Sequence, residues 1–425
     1  MKSSKYNFYL KNNNNSYIYN SLSNSLIEVE NDLSLAIKNN NINKLEKEEL
    51  KLLQELLIVS DNADEENVLN SLRLKNLITR FDDNILNLTI APTSSCNFDC
   101  TYCYEDDRPN VFMNKNTELK LIEFIEKHKN VKKIYITWFG GEPLLNFKFI
   151  KRFVNIINEK GYILTNSFIT NGYLLNKKTL DWLAQNRISY LQITIDGFEN
   201  THNLRRPHIN NKGSYKRIID NLDNLFKSDV NYKVILRINI DSSNEQEYPD
   251  LANYLTERYK DKNLFLSPSF VASLDSNQCN NNCLFVREDK ALFKLNNISS
   301  KGISLYPTLK SGDCIARQKN GYVIGVNGEL YKCYEDIGKK EKEIGNIFEK
   351  EINEPLLTEY LIGADQLFDK ECIDCKLLPI CNGGCPYVRI NNNKTGSSNN
   401  ENCVIFKDFE KEFILAHIKT KKTDK

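Results

Sequence analysis

Short apolar runs alternate with amphipathic stretches through the middle of the chain, and this pattern predicts an α/β fold. The stretches between the runs repeat their apolar residues at helical spacing. Repeated strand–helix units favour a parallel sheet with helices outside it. Six units between Ile85 and about Phe270 predict a partial (β/α)6 barrel. The predicted strands are Leu86–Ala91, Lys133–Phe139, Ile163–Thr170, Tyr190–Asp196, Lys233–Ile240 and Leu264–Phe270, and the predicted helices lie near 115–128, 147–160, 176–186, 212–228 and 245–260.

The first 84 residues follow a different pattern, which predicts a small separate module. Tyr6–Leu10 and Ser16–Asn20 read as two strands around an Asn-rich turn. Helical periodicity follows over Asp32–Lys38, Lys44–Val59 and Asp64–Leu72. A hairpin followed by three helices is the layout of a winged-helix-like module. Such a module serves either as a cap on the next domain or as a docking site that takes an extended peptide as an added strand.

Composition narrows the classes of function. The chain has 425 residues with 57 basic and 56 acidic side chains, so no gross charge attracts it to nucleic acid or to an anionic membrane. Met1–Asn20 lacks the apolar run of a signal peptide, and no apolar run reaches the ~18 residues of a membrane span. We therefore expect a cytoplasmic protein without nucleic-acid or membrane partners. In that compartment the 12 cysteines favour metal or redox roles over disulfides.

Three cysteines directly after the first predicted barrel strand give the strongest chemical signal. Cys96, Cys100 and Cys103 have the spacing C-x3-C-x2-C. Iron–sulfur clusters are usually held by four Cys thiolates, so three at this spacing indicate a cubane with one iron left open. The alternative is part of a zinc knuckle, which needs a fourth Cys or His nearby, and the nearest downstream histidine is His128. The loop follows the C-terminal end of a strand, where barrel enzymes place their chemistry.

This loop resembles the cluster loop of the radical S-adenosylmethionine (SAM) superfamily. The resemblance implies that the open iron binds SAM and that one electron cleaves it to a 5′-deoxyadenosyl radical. Gly140-Gly141-Glu142-Pro143, after the second strand, resembles the family's GGEP motif, which receives the SAM amino group. His202 is expected to cap the start of a helix rather than to take part in catalysis. The resemblance also implies SAM contacts from Tyr102 on the adenine, from Thr194 and Arg206 on the carboxylate and ribose, and from Asn171 at the end of the third strand. Asn239 is expected to line the barrel near the nucleoside because of its position on the fifth strand.

Seven more cysteines follow in the C-terminal part of the chain. Cys314 and Cys333 have the spacing C-x13-G-x4-C around Gly328, and a C-x2-C-x5-C-x3-C group from Cys372 and a last Cys403 follow. The order resembles the SPASM extension of radical SAM maturases, which implies two auxiliary [4Fe–4S] clusters and three clusters in total. The alternative is a pair of zinc sites. By the resemblance, Cys314, Cys333 and Cys385 hold the inner auxiliary cluster, and Cys372, Cys375, Cys381 and Cys403 hold the outer one.

The inner set has only three of these cysteines, because residues 304–313 contain none. Either Cys279 or Cys283 completes it, or one iron stays open. An open iron would bind the thiolate of a substrate cysteine, since iron–sulfur clusters take thiolate ligands. That arrangement would suit the formation of a thioether.

The N-terminal layout also resembles the leader-recognition module of enzymes that modify ribosomally made peptides. These resemblances together imply a winged-helix-like leader-recognition module over 1–84, a radical SAM partial barrel over 85–300 and a SPASM domain over 301–425. The predicted function is that of a radical SAM oxidoreductase that cross-links a ribosomally made precursor peptide. A thioether is the first expectation, and a carbon–carbon or carbon–oxygen bond is the second. The expected partners are the peptide and an electron donor such as flavodoxin or ferredoxin. The alternatives are an anaerobic sulfatase maturase that forms formylglycine and a zinc-binding adaptor without catalysis. No general base is predicted.

Overall fold

The structure is a computed structural model of the chain. It describes residues 1–12, 15–103, 109–228, 231–271, 286–298, 300, 302–309 and 314–423. The expectation that Cys279 or Cys283 completes the inner cysteine set lies outside these residues. No helix among the described residues has the length and apolar character needed to cross a bilayer.

The N-terminal module is an antiparallel sheet followed by helices. Its elements are β1 (Lys2–Ser3), β2 (Asn7–Asn12), β3 (Asn15–Asn20), β4 (Ser25–Val29), α1 (Asn31–Lys38), α2 (Lys47–Glu55), β5 (Val59–Ser60) and α3 (Asn62–Arg80). The sheet order is β2-β3-β4, and β1 pairs with β5. Strand β4 was not predicted. The helix expected over Lys44–Val59 is shorter, because Glu46 and Glu49 form a capping box at its start and Val59 leaves to pair with β1.

The middle of the chain forms the predicted partial barrel. Its elements are β6 (Ile85–Ile90), α4 (Lys115–Lys127), β7 (Lys133–Trp138), α5 (Phe147–Glu159), β8 (Ile163–Thr170), α6 (Lys177–Gln185), β9 (Ile188–Thr194), α7 (Glu199–Arg205), α8 (Tyr215–Lys227), β10 (Lys233–Ile240), α9 (Tyr248–Arg258) and β11 (Leu264–Phe270). All neighbouring strands from β6 to β11 pair in parallel. The α/β class is confirmed, and α7 is an addition that its polar sequence did not predict.

Alternation along the strands separates an apolar outer face from a polar interior. In β7, Ile134, Ile136 and Trp138 are buried against the helices. Burying one such side chain contributes about 1.5–3 kcal/mol. Facing the interior, the hydroxyls of Thr137 and Tyr190 lie 3.4 Å apart, although β8 stands between their strands. The barrel interior therefore offers polar groups to whatever enters it.

The cysteine-rich segment continues the barrel sheet. Its elements are α10 (Arg287–Asn296), β12 (Gly321–Ile324), β13 (Glu329–Tyr331), β14 (Gly345–Asn346), α11 (Glu354–Thr358), α12 (Lys370–Ile373), α13 (Leu378–Cys381), α14 (Pro386–Thr395) and α15 (Glu410–Thr423). Strand β12 pairs in parallel with β6, so the sheet runs β11-β10-β9-β8-β7-β6-β12-β13-β14. The strand that leads into the first cysteine loop is thus also the attachment point of the C-terminal region.

The N-terminal module packs directly on this cysteine-rich region. Arg80, at the end of α3, forms an ion pair of 2.6 Å with Asp365, and both side chains are almost fully buried. Tyr6 and Leu69 join Leu378 in one apolar cluster, which also contacts the side chain of Cys372. Removing one partner of a buried ion pair typically costs about 3–5 kcal/mol, so this junction is expected to be firm.

Candidate active site

The first cysteine loop is held by backbone hydrogen bonds to the segment after α7. The amides of Asp99 and Thr101 donate to the carbonyls of Pro207 and Arg205 at 2.9 and 3.0 Å. Phe98 is buried in the loop, and the guanidinium of Arg206 lies 5.6 Å above its ring. Hydrogen bonds of the loop's own backbone therefore hold it against this segment.

The glycine pair after β7 lies against the chain that enters the cysteine loop. The amide of Glu142 donates to the Ser95 carbonyl at 2.8 Å. A Cβ atom on Gly141 would lie 2.3 Å from that same carbonyl oxygen, and one on Gly140 would lie 2.4 Å from the Thr93 carbonyl oxygen. Gly140 also has a φ of +109°, which residues with a side chain rarely adopt. The two glycines are thus required by close approach, as expected from the motif.

Glu142 is a fully buried carboxylate that joins the ends of β7 and β8. It accepts hydrogen bonds from the Thr170 hydroxyl at 2.7 Å and from the Asn171 amide at 2.7 Å. The Leu144 amide donates a third bond at 3.0 Å. Burial raises the pKa of this carboxyl, and the three donors oppose that rise. In this structure Glu142 orients the strand ends, in addition to the SAM contact implied by the resemblance.

Asn171 connects this carboxylate to the cysteine loop. Its side-chain amide donates to the Oδ1 atom of the Asn97 side chain at 2.8 Å and lies 4.0 Å from the Cys96 sulfur. The amide nitrogen of Asn97 is buried, and no hydrogen-bond partner for it is found among the described residues. A buried donor without a partner is costly, so a polar group bound beside Cys96 would be stabilised here.

Tyr102 stands at the centre of a second network. Its hydroxyl donates to the Asp196 carboxylate and accepts from Arg206 at 2.6 Å and from the Asn239 side chain at 3.0 Å. Arg205 lies 5.1 Å from the centre of the Tyr102 ring. Burial raises the pKa of the Tyr102 phenol well above its usual range, so the hydroxyl keeps its proton. Three predicted SAM contacts, from β10 and from the segments after β6 and α7, are therefore brought together.

Asp196 is the residue of this network that sequence reasoning left without a role. It is fully buried, and it also accepts from the Asn239 backbone amide at 2.8 Å. Its own amide donates to the Nδ1 atom of His202 at 3.2 Å. The expectation that His202 caps the start of a helix is wrong, because it lies inside α7 and binds the end of β9 instead. The position of Asp196 at a strand end, directly before Gly197, was the available signal.

The remaining predicted contact, Thr194, ends β9 and is mostly buried. Its register partner on β10 is Arg237, whose Nε atom donates to the Asn239 side chain at 2.7 Å. Thr194 therefore lies next to the Tyr102 network, and no hydrogen bond of its side chain to another described residue was found. All the predicted SAM contacts thus lie at the C-terminal ends of the barrel strands or on the loops that follow them.

These residues fit a SAM-binding iron–sulfur site. The Nε atoms of Arg205 and Arg206, like the amide nitrogen of Asn97, are buried without a partner found in the described part of the chain. Arginine forks and amides are suited to a carboxylate and to ribose hydroxyls. The sulfur of Cys96 accepts from the Phe98 amide at 3.4 Å, and hydrogen bonds to sulfur are a common feature of cluster ligands.

Glycines bring the last cysteines close together. Gly383 and Gly384 both have φ above +70°, and a Cβ atom on Gly384 would lie 2.1 Å from the Asn402 carbonyl oxygen. The Asn402 side chain in turn accepts from the Cys385 amide at 2.8 Å. The segment carrying Cys403 can therefore approach the C-x2-C-x5-C-x3-C group only because position 384 has no side chain.

The C-terminal thiols influence one another in the two predicted sets. Burial raises the pKa of Cys375, with Cys381 and Cys403 as nearby contributors. Burial likewise raises the pKa of Cys333, and Asp336, Cys385 and Cys314 add to that rise. No disulfide joins any of the ten described cysteines. Among the described residues, no three His, Cys, Asp or Glu side chains are grouped tightly enough for a single metal ion.

If iron–sulfur clusters are present in this region, the C-terminal cysteines would hold them through their thiolates. The grouping into inner and outer sets remains a prediction.

The radical SAM class is confirmed by comparison with known proteins. Residues 90–255 match the family model of the radical SAM superfamily. This range contains the cysteine loop, the glycine pair and the Tyr102 network, and it ends within α9. Residues 90–255 therefore match a radical SAM domain, and the cysteine-rich C-terminal segment expected from the spacing is present.

Several proteins resemble the chain beyond this domain. The cysteine-type anaerobic sulfatase-maturating enzyme of Clostridium novyi (strain NT) is 26% identical over 356 residues, which are 76% of this chain and 94% of that protein. The structure of native anSMEcpe with bound AdoMet and Cp18Cys peptide has a TM-score of 0.60 at 21% identity and covers 79% of this chain and 97% of its own. Streptococcus suis SuiB bound to precursor peptide SuiA has a TM-score of 0.53 at 17% identity and covers 93% of this chain and 97% of its own.

Proposed function

We propose that this protein is a radical SAM oxidoreductase that installs a cross-link in a ribosomally made precursor peptide, with a thioether as the first expectation. The observation that carries the proposal is the N-terminal sheet with an open edge, fixed to the cysteine-rich region. Two solved structures of similar fold have peptides bound, according to their descriptions. The one that covers 93% of this chain is bound to a precursor peptide.

The N-terminal sheet is built to accept one more strand. One face packs on α15 through Leu10, Tyr17 and Ile414, and the other packs on α1 and α2. Strand β4 is last in the sheet order, and no backbone hydrogen bond from its outer edge to another described strand is present. With both faces covered, the edge is where an extended leader segment would bind, through main-chain hydrogen bonds.

The junction described above holds this edge in a fixed relation to the cysteines. The hydroxyl of Ser21, in the turn between β3 and β4, also donates to the Lys376 carbonyl within the C-x2-C-x5-C-x3-C group. A docked leader would therefore raise the effective concentration of the core peptide near the barrel mouth. The anSMEcpe structure covers 79% of this chain. The uncovered part of this chain is about as large as the N-terminal module.

Within the barrel, the chain's own residues would bind and orient the reactants. Cys96, Cys100 and Cys103 would hold the first cluster, and SAM bound there would supply a 5′-deoxyadenosyl radical for the removal of a hydrogen atom from a peptide carbon. Arg206 and Asn239 hold Tyr102 in place, and Glu142 fixes the ends of β7 and β8. The polar interior beyond them would receive the peptide. Flavodoxin or ferredoxin is the proposed electron donor, and three [4Fe–4S] clusters are the proposed cofactor content.

The experiment uses reconstituted full-length protein, SAM, dithionite and a short precursor peptide encoded beside the gene. We expect 5′-deoxyadenosine and a peptide lighter by two hydrogens. A thioether would also remove one cysteine from reaction with iodoacetamide. Amide hydrogen exchange supplies the structural control: the peptide should protect Ser25–Val29 and leave the opposite edge strand, Asn7–Asn12, unchanged. An unmodified peptide, or equal protection of both strands, would contradict the proposal.

The sulfatase-maturase activity is a second candidate, because the Clostridium novyi relative aligns over 94% of its length. The two activities differ in their product. Formylglycine carries an aldehyde that reacts with hydrazines, whereas a cross-linked peptide has none. A peptide containing the target Ser or Cys of a sulfatase, converted to a hydrazine-reactive product at the rate of a natural substrate, would favour this second function.

A further inference from the structure

A buried arginine contacts one of the proposed outer-cluster cysteines. Arg389 lies in α14 and is 3% exposed. Its Nη2 atom donates to the Cys372 sulfur at 3.3 Å, and its Nη1 atom donates to Asp369 at 2.6 Å. The Nε and Nη2 atoms also donate to the Gly383 carbonyl at 3.2 and 3.0 Å. The guanidinium is thus locked between the segments that carry Cys372 and Cys381, and its charge is permanent.

A second cation contacts the last cysteine of the same set. The ammonium of Lys407 lies 3.6 Å from the Cys403 sulfur and donates to the Asn400 side chain at 3.0 Å. Lys407 and Arg389 come from different segments of the chain. Two independent positive charges therefore donate N–H···S hydrogen bonds to two of the four sulfurs assigned to the outer cluster.

Asp369 carries a negative charge next to Arg389, so removing that charge should have the opposite effect to removing a cation. It accepts from Arg389 and, at 2.9 and 3.3 Å, from the Glu371 and Cys372 amides as the cap of α12. An asparagine at this position keeps an oxygen that can cap the helix, while it removes the negative charge. The Asp369→Asn substitution would thus leave Arg389 without its neutralising partner.

We infer that Arg389 and Lys407 raise the reduction potential of the outer auxiliary cluster, so that it is tuned to take up an electron. Reduction adds one negative charge, which nearby cations and N–H···S bonds stabilise. This inference rests on the proposed assignment of the outer cluster. Once a hydrogen atom has been removed from the peptide, closing a C–S bond releases one proton from the thiol and one electron. A site of raised potential favours transfer of that electron.

The test is an EPR-monitored redox titration of the C-terminal clusters without any peptide. The background is a full-length variant in which Cys96, Cys100 and Cys103 are replaced by Ala, so that the first cluster gives no signal. Arg389→Gln and Lys407→Gln should each lower the reduction potential of one auxiliary cluster and leave that of the other unchanged. A tenfold change in the one-electron equilibrium corresponds to a shift of about 59 mV. Asp369→Asn should raise that same potential. Iron and sulfide contents must match the parent in every variant compared.

The matched control is Lys394→Gln, which removes a charge from the same helix. Lys394 pairs with Glu359 at 2.7 Å, and no cysteine contact of its ammonium is found among the described residues. It should leave both potentials unchanged. If Arg389→Gln does not retain its cluster, the potentials of Lys407→Gln and Asp369→Asn alone test the inference. Unchanged potentials in fully loaded variants, or shifts of one sign for Asp369→Asn and Lys407→Gln, would overturn the inference. Because no peptide is present, failure of the peptide-maturase function would not affect this result.

Discussion

The first cysteine loop and the C-terminal cysteine region perform the same task, holding several thiols near one another, by different structural means. At the first loop, strand ends provide the support: Glu142 joins β7 to β8, and Tyr102 joins the loop to β10 through Asn239. In the C-terminal region, a glycine with left-handed backbone, Gly384, permits the close approach of the Asn402 segment, and cations contact the sulfurs. The first site is thus built by the fold and the second by local turns.

The largest expected effect separates the chemistry of the two regions. Cys100→Ala should reduce 5′-deoxyadenosine formation under dithionite to that of a protein-free control, because it removes one of the three proposed ligands of the SAM-binding cluster. Cys381→Ala is the matched change in the C-terminal region. It should preserve SAM cleavage and abolish modification of the peptide. The measurement is chromatography of 5′-deoxyadenosine together with mass spectrometry of the peptide.

Persistent SAM cleavage by Cys100→Ala would remove the basis of the radical SAM assignment for this loop. Loss of cleavage in Cys381→Ala, with the first cluster fully loaded, would instead mean that the two regions depend on each other. The parallel pairing of β12 with β6 is the structural route by which such dependence would arise.

The next effect concerns how the glycines support the second region. Gly384→Ala places a Cβ atom 2.1 Å from the Asn402 carbonyl oxygen at a φ of +73°. Gly396→Ala is matched, since Gly396 has a φ of +68° with nothing within 4 Å. We expect a cost of about 1 kcal/mol for Gly396→Ala from the backbone alone, and about 3 kcal/mol for Gly384→Ala, near the upper end for single substitutions.

Thermal unfolding of the metal-free protein and iron content after reconstitution measure the two effects. Gly384→Ala should lose the outer cluster, while Gly396→Ala should keep it. Equal behaviour of the two variants would show that the close approach to Asn402 does not hold the C-terminal cysteines together.

The contrast between regular barrel strands and locally irregular segments explains how much of the fold the sequence alone predicts. The barrel strands were placed to within two residues, because alternating burial on a parallel sheet leaves a clear pattern, as in Ile134, Ile136 and Trp138. Strand β4 was missed because its sequence, Ser-Leu-Ile-Glu-Val, is short and its residues are only half-buried. The C-x3-C-x2-C loop and the Gly-Gly-Glu-Pro turn could be recognised from the sequence, because each lies within a few consecutive residues.

What could not be predicted depends on contacts between residues distant in the chain. Asp196 meets Tyr102 across 94 positions, and Arg389 meets Cys372 from another helix. Arg80 reaches Asp365 over 285 positions. A charged residue in a helix is ordinarily solvated, so nothing in the sequence near Arg80 or Arg389 distinguishes them from surface residues. Their burial follows only from the packing of the three regions.

The smallest expected effect is a pH dependence that belongs to the first region. His202 is fully buried, and burial, with Arg206 and Arg205 nearby, holds its pKa well below the usual value. Below pH ~6.5 the unfolded chain binds a proton at this residue that the folded protein does not. Stability should therefore fall as the pH drops from about 6.5 toward the lowered pKa. His202→Asn keeps an acceptor for the Asp196 amide and should flatten this fall.

His208→Asn is the comparison, because His208 also accepts a backbone amide, from Asn210 at 3.2 Å, but is only partly buried. Burial lowers the pKa of His208 less far than that of His202, so this variant should flatten the fall less. Unfolding temperatures of the metal-free proteins between pH 5 and 8 provide the measurement. Above pH 7 the curves of the wild-type protein and His202→Asn should run parallel, since His202 is neutral in both states there. If the unfolding temperature of His202→Asn falls below pH 6.5 as steeply as that of the wild-type protein, the buried neutral imidazole is not the source of the pH dependence. The Tyr102 network would then be held by Arg206 and Asn239 without a contribution from His202.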